Sequence, residues 1–134
     1  MPTHDTGPFN LTSTFLRLRS DVSIEPLAAG DDFWPNLIGG ALGSFHNEYL
    51  VVSSAFNADW PTWEMHPNGD EIVCLLEGKA TLLLEIDGRE HAHELSASGD
   101  YVRVPRGTWH TAKTSTQCRM LFITAGEGTQ MRPA

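Results

Sequence analysis

Three side chains in one short stretch have the types and spacing to do chemistry together: Glu64, His66 and Glu71, within Trp60–Gly78 (WPTWEMHPNGDEIVCLLEG). In an extended strand alternate side chains point to opposite faces. Glu64 and His66 therefore share one face, and Trp63 and Met65 the other. Pro67-Asn68-Gly69-Asp70 reads as a turn that folds the chain back into a second strand. Whether that turn closes over two residues or four, His66 comes opposite Glu71, with Cβ atoms expected about 5 Å apart. Pro67 cannot donate to a ladder, which favours the wider loop. Beyond Glu71 the same face continues with Val73 and Leu75, an apolar floor. An imidazole and a carboxylate are thus aimed into an apolar interior. A buried carboxylate has to be paired, protonated or bound to a cation. Imidazole with carboxylate suits zinc, iron, manganese or nickel. Asp70 is the rival acid, and strand parity favours Glu71.

A second stretch, Gly99–Thr114 (GDYVRVPRGTWHTAKT), supplies another imidazole. Val102 and Val104 share one face; after the Pro105–Gly107 turn, His110 and Ala112 share one. If that face is the interior, His110 joins His66 and Glu71. The other histidines read more plainly. His91 and His93 lie on one face of a strand with no companion ligand, and His4 and His46 sit in loop-like sequence as solvated side chains. Trp63 and Trp109 have the opposite parity to the candidate ligands and belong to an outer face or a subunit contact. Trp34 and Trp60 are free to line the mouth of the interior. Arg103 and Arg106 read as solvated or salt-bridged.

The elements that position these groups are short strands. Tyr49–Phe56, Trp63–His66, Glu71–Leu76, Lys79–Ile86, Arg89–Leu95, Tyr101–Val104, Trp109–Thr114 and Arg119–Thr124 are each bounded by turn residues. Asp87-Gly88 is a two-residue hairpin signal. Ahead of them, only Phe15–Arg19 hints at order in residues 1–20. Residues 26–43 carry Gly30, Pro35, Gly39, Gly40 and Gly43 as loop punctuation around short extended pieces. The expected class is all-β, a closed barrel or sandwich in one structural domain. Residues 1–45 form an amino-terminal extension with edge strands, and 46–134 form the barrel.

These two stretches resemble the two motifs of the cupin superfamily. His66, four intervening residues, Glu71, six more and Gly78 reproduce the second half of the first motif. Gly99, Pro105, Gly107 and His110 fall at the spacing of the second. The resemblance covers residues 60–114 and implies a double-stranded β-helix, the jelly-roll barrel. It departs in three places. Glu64 stands where the family has its first histidine, Asp59 or Trp60 where it has a leading glycine, and Thr114 where it has a final asparagine. Carried over position by position, the ligand set implied is Glu64, His66, Glu71 and His110, holding one divalent ion (Fe, Mn, Zn or Ni). Glu64 serves there as ligand or, desolvated beside His66, as the catalytic proton acceptor. Two functions follow from the resemblance: a metal-dependent small-molecule enzyme of oxygenase, isomerase or lyase type, or a non-catalytic binding or sensor domain using the same cavity. It also implies a homodimer.

Composition narrows the partners. Seventeen acids against nine bases give a formal net charge of −8, a field that repels phosphate backbones and anionic lipid. Nucleic acid and membrane surfaces are excluded on that ground, and no apolar run approaches the roughly 20 residues of a spanning helix. The start, MPTHDTGPFN, has neither a basic head nor an apolar stretch, so the sequon Asn10-Leu11-Thr12 carries no expectation of glycosylation. Cys74 and Cys118 lie in apolar runs and read as two reduced thiols. A cytoplasmic protein is expected.

Overall fold

The computed structural model describes residues 5–134; His4 lies outside them. Eleven strands and one short helix are present among the described residues: β1 (Thr14–Leu18), β2 (Ile24–Ala28), α1 (Phe33–Ile38), β3 (Tyr49–Phe56), β4 (Thr62–Met65), β5 (Glu71–Glu77), β6 (Ala80–Ile86), β7 (Arg89–Leu95), β8 (Tyr101–Val104), β9 (His110–Lys113), β10 (Cys118–Thr124) and β11 (Gln130–Pro133). They form two antiparallel sheets, β2-β1-β3-β10-β5-β8 and β11-β4-β9-β6-β7. Alternation places the core between them. On β5, Glu71, Val73 and Leu75 point inward, and on β10 so do Cys118, Met120, Phe122 and Thr124. The expected all-β jelly roll is what forms. Asp87 and Gly88 turn β6 into β7 with Ile86 paired to Arg89, both turn residues at positive φ (53° and 75°), as a type I′ turn requires.

One expectation is corrected. The turn Pro67–Asp70 does not make a hairpin, because β4 lies in the five-stranded sheet and β5 in the six-stranded one. His66 and Glu71 therefore face each other across the gap between the sheets, not along a ladder. Glu64 has His110 as its ladder partner. Two features drive this. Asp70 is drawn outward, its carboxylate accepting from the Arg106 backbone N–H (2.9 Å) and Arg103 Nη1 (3.3 Å). The flanks of β4 are also taken, by β9 on one side and β11 on the other. The Pro105–Gly107 turn is a second crossover, from β8 in one sheet to β9 in the other. The two crossovers are tied together, since the Gly107 N–H donates to the His66 carbonyl at 2.9 Å.

Two elements emerge from sequence that reads as loop. In α1, Pro35 occupies the first turn, where its missing N–H has no intrahelical partner, so it does not prevent a helix. The strand β11 is only four residues, three of them exposed (Gln130, Met131, Pro133), and it acquires strand form by pairing with β4. Its Arg132 guanidinium lies over Trp63 (5.3 Å) and Trp109 (4.5 Å) and pairs with Glu85 at 2.6 Å. Both tryptophans thus pack the outer face, as their parity predicts.

Gly78 ends β5 at φ +84°, where a Cβ would run into the Gln117 carbonyl and Cys118. Gly78→Ala is expected to destabilise the fold by about 1–3 kcal/mol through backbone strain and this clash. A chemical-denaturation midpoint unchanged from that of the parent chain would contradict it.

Candidate metal centre

Each candidate ligand is placed by a separate part of the barrel. Glu64 is on β4, His66 just past its end, Glu71 opens β5 and His110 opens β9. All four converge between the sheets. Glu71 Oε1 lies 2.8 Å from His110 Nε2 and 3.5 Å from His66 Nε2. One ligand atom from each of Glu64, His66 and His110 falls within 4.8 Å of the others. Three of the residues are closed to solvent (His66 5%, Glu71 3%, His110 0% exposed), whereas Glu64 keeps partial access.

Neighbouring oxygens decide which atoms face the centre. His110 Nδ1 lies 3.1 Å from the Thr108 carbonyl, which can only accept, so Nδ1 carries the hydrogen. His66 Nδ1 lies 2.9 Å from Thr129 Oγ1, and that hydroxyl donates to the Gly126 carbonyl at 3.1 Å. It therefore accepts from His66 Nδ1–H. With Nδ1 carrying the hydrogen, it is Nε2 of each ring that faces inward, the atom whose lone pair a metal ion takes up. Thr124 Oγ1 donates to Glu71 Oε2 at 2.7 Å and leaves Oε1 aimed at the imidazoles.

One carboxylate oxygen, Glu71 Oε1, is shared between two imidazoles, and this leaves all three inward atoms poorly satisfied. His66 Nε2, Glu71 Oε1 and His110 Nε2 are all buried and none makes a well-aligned hydrogen bond, in spite of the short separations. Each unsatisfied buried polar atom costs about 1–3 kcal/mol. Donors held about 2.1 Å from a shared ion stand roughly 3–4 Å apart. The observed separations lie close to that range, so this donor set fits a small divalent cation with slight side-chain adjustment.

The charges tell the same story. Burial opposes ionisation of Glu71, but His110 and His66 beside it outweigh that and hold its carboxyl down at about 2. Burial likewise works against a charged His110, yet the Glu71 carboxylate raises its pKa overall. Glu64 is pushed up, first by burial and then by the Glu71 charge, with the two imidazoles only partly offsetting this. Positive charge is thus favoured at the point where the donors meet.

The remaining sequence candidates fall outside this cluster. Asp70 is exposed and paired with Arg103. On β7, His93 Nδ1 lies 3.2 Å from the His91 carbonyl, and no ligand-type side chain joins the pair among the described residues. His46 is exposed, 3.2 Å from Glu127. Cys74 and Cys118 are free thiols. Trp60 sits beside the centre, its ring centroid 6.4 Å from that of His110. Thr124 and Thr129 are supporting residues that sequence reading passed over. A signal existed for Thr124, a polar residue at the inward parity of the apolar strand Cys118–Thr124.

Comparison with known proteins places this geometry in a family. Residues 55–124 match the family described as Cupin domain. Among solved structures, recombinant oxalate oxidase in complex with glycolate superposes with a TM-score of 0.53 at 16% identity, over 61% of this chain and 45% of that one. A variant of Bacillus subtilis oxalate decarboxylase gives 0.50 at 20% identity, over 64% of this chain and 23% of that one. A cupin-2 domain protein from Shewanella frigidimarina gives 0.48 at 17% identity, over 64% and 71%. The chain thus spans under half of the oxalate oxidase and about a quarter of the decarboxylase. No curated protein matches it by sequence. At these identities the structural likeness concerns the fold. No helix among the described residues is long and apolar enough to cross a membrane. With more than half of its length matched and both crossovers carrying the expected residues, the chain belongs to the cupin family.

Proposed function

We propose that this barrel is a divalent-metal-dependent enzyme acting on a small molecule, of oxygenase, isomerase or lyase type. His66, Glu71 and His110 hold the ion, and Glu64 serves as a fourth ligand or as proton acceptor. The observation that supports this most directly is the meeting at one point of three buried donor atoms from opposite sheets, none with an aligned hydrogen bond. When bound, iron, manganese, zinc or nickel there supplies Lewis-acid polarisation of a carbonyl or activation of oxygen or water. The chain's own residues do the rest. Thr108 and Thr129 fix the two imidazole tautomers, and Thr124 orients Glu71. Glu64, with its pKa raised by burial and by Glu71, is the carboxylate nearest to the range in which a proton can be taken up and returned. Metal content tests the reading. Protein purified without chelator, or reconstituted with these four metals, is expected to carry about one ion per chain by elemental analysis. Persistent absence after reconstitution would favour the second reading, a metal-free small-molecule binding or sensor domain in the same cavity.

Pairing as a homodimer is what the family resemblance implies; Ile24 on β2 and Tyr101 on β8, at opposite edges of the six-stranded sheet, stand 62% and 65% exposed. Sedimentation equilibrium is expected to give twice the 14.8 kDa chain mass, and a monomer at micromolar concentration would contradict this.

A further inference from the structure

We infer that the centre selects a neutral ligand with a flat apolar body and disfavours carboxylates, with Glu64 setting the charge preference and Trp60 the shape preference. This rests on the metal reading above. Two carboxylates and two neutral imidazoles around a divalent ion sum to zero charge. A ligand arriving as an anion then meets Glu64 and Glu71 with no surplus positive charge to offset them. The rest of the protein does not supply any. The ion-pair partners of Glu71 are the two imidazoles, and no lysine or arginine pairs with Glu64 or Glu71 among the described residues. All nine lysines and arginines lie within the described residues. They pair with acids other than the candidate ligands, stand at the surface or, for Arg119, reach Ser53. In a site this largely buried, that imbalance is weakly screened.

Aromatic rings pack beside the centre. Of the four candidate ligands, Glu64 alone keeps contact with solvent, so entry lies on its side. Trp60 precedes it on the same stretch of chain and is fixed by its backbone N–H donating to the Ala112 carbonyl at 2.9 Å. Its indole meets Phe122 (5.7 Å between centroids), Phe56 (5.9 Å) and His110 (6.4 Å). Three aromatic rings and an imidazole edge make a wall that favours a planar apolar group over a small polar one. A carbonyl, amide or phenol-type oxygen at the end of such a group would reach the ion without adding charge.

The test uses two ligands of nearly equal shape that differ in charge, benzamide and benzoate, titrated calorimetrically into zinc-loaded protein at neutral pH. Zinc occupancy is measured first by elemental analysis, so that loss of the metal reading is seen separately from loss of this one. Benzamide is expected to bind at least tenfold more tightly than benzoate. In Glu64→Gln and Glu64→His, each still carrying zinc, one negative charge is gone and the ratio should fall by tenfold or more in favour of benzoate. Trp60→Leu should weaken benzamide at least fivefold with zinc affinity unchanged. Benzoate binding as tightly as benzamide to the parent protein would overturn the inference. So would a ratio unmoved by both Glu64 variants, or failure of benzamide to bind a zinc-filled site.

Discussion

His110→Ala is expected to lower zinc affinity by at least 100-fold and, in the metal-free protein, to destabilise the fold. His110 is fully buried and its Nε2 lies 2.8 Å from Glu71 Oε1, so its loss removes a donor and strands a carboxylate in the same step. Second-sphere changes alone typically cost 10–100-fold in metal affinity, and a direct ligand exceeds that. Removing one partner of a buried ion pair costs about 3–5 kcal/mol. The acid limb of stability should move as well. Glu71 is held at about 2 against an ordinary 4.5. A depressed carboxyl contributes stability that is fully present above pH 4.5 and is lost as pH falls toward 2. Without His110 that depression shrinks, so the variant gives up this contribution and its acid dependence flattens. Calorimetric zinc titration and chemical denaturation between pH 2 and 7, on chelator-treated protein, check both halves. Zinc affinity within threefold of the parent value would remove His110 from the proposed ligand set.

Glu71→Gln isolates charge from shape and is expected to have the second-largest effect. The amide keeps the size and can still accept from Thr124, but it offers a poor donor to a cation and does not neutralise an imidazolium. Zinc affinity should fall by roughly 100-fold. In the metal-free protein the sign of the pH effect is opposite to that above. His110 is raised from 6.5 chiefly because Glu71 offsets the burial that would lower it. Its stabilising contribution is therefore present below pH 6.5 and disappears as pH rises through the folded value. Losing Glu71 abolishes that contribution, so the variant should be most destabilised relative to the parent in mildly acidic solution. The difference should narrow as pH rises. NMR titration of the His110 ring reads the same change directly, and an unaltered His110 midpoint in Glu71→Gln would contradict the pairing.

Much of this was legible before any coordinates. The β3 strand, the β6–β7 hairpin with its Asp87-Gly88 turn, and the β5 and β10 strands follow from period-two alternation between turn residues, because burial of one face and local turn chemistry are both written locally. The inward parity of His66, Glu71 and His110 follows from the same period. The helix α1 and the strand β11 were not legible. Pro35 reads as a breaker without knowledge that it falls in a first helical turn, and Gln130–Pro133 becomes a strand only by meeting β4, some 65 residues earlier in the chain. The supporting threonines belong to the same class. Thr129 orients His66 across 63 residues of sequence, and nothing local marks it.

By itself, the sequence determined which residues point inward, which family the spacing of two motifs resembles, and that an acid stands where a histidine is usual at position 64. Only the tertiary structure decided which strands neighbour one another. It set His66 and Glu71 across the gap between sheets where a hairpin was expected, and made Glu64 and His110 the ladder pair. The physical reason is that side-chain direction is a property of a single strand, whereas strand partnership depends on competition among all available edges. At β4 that competition was won by β9 and β11, and the meeting of the four candidate ligands followed from it.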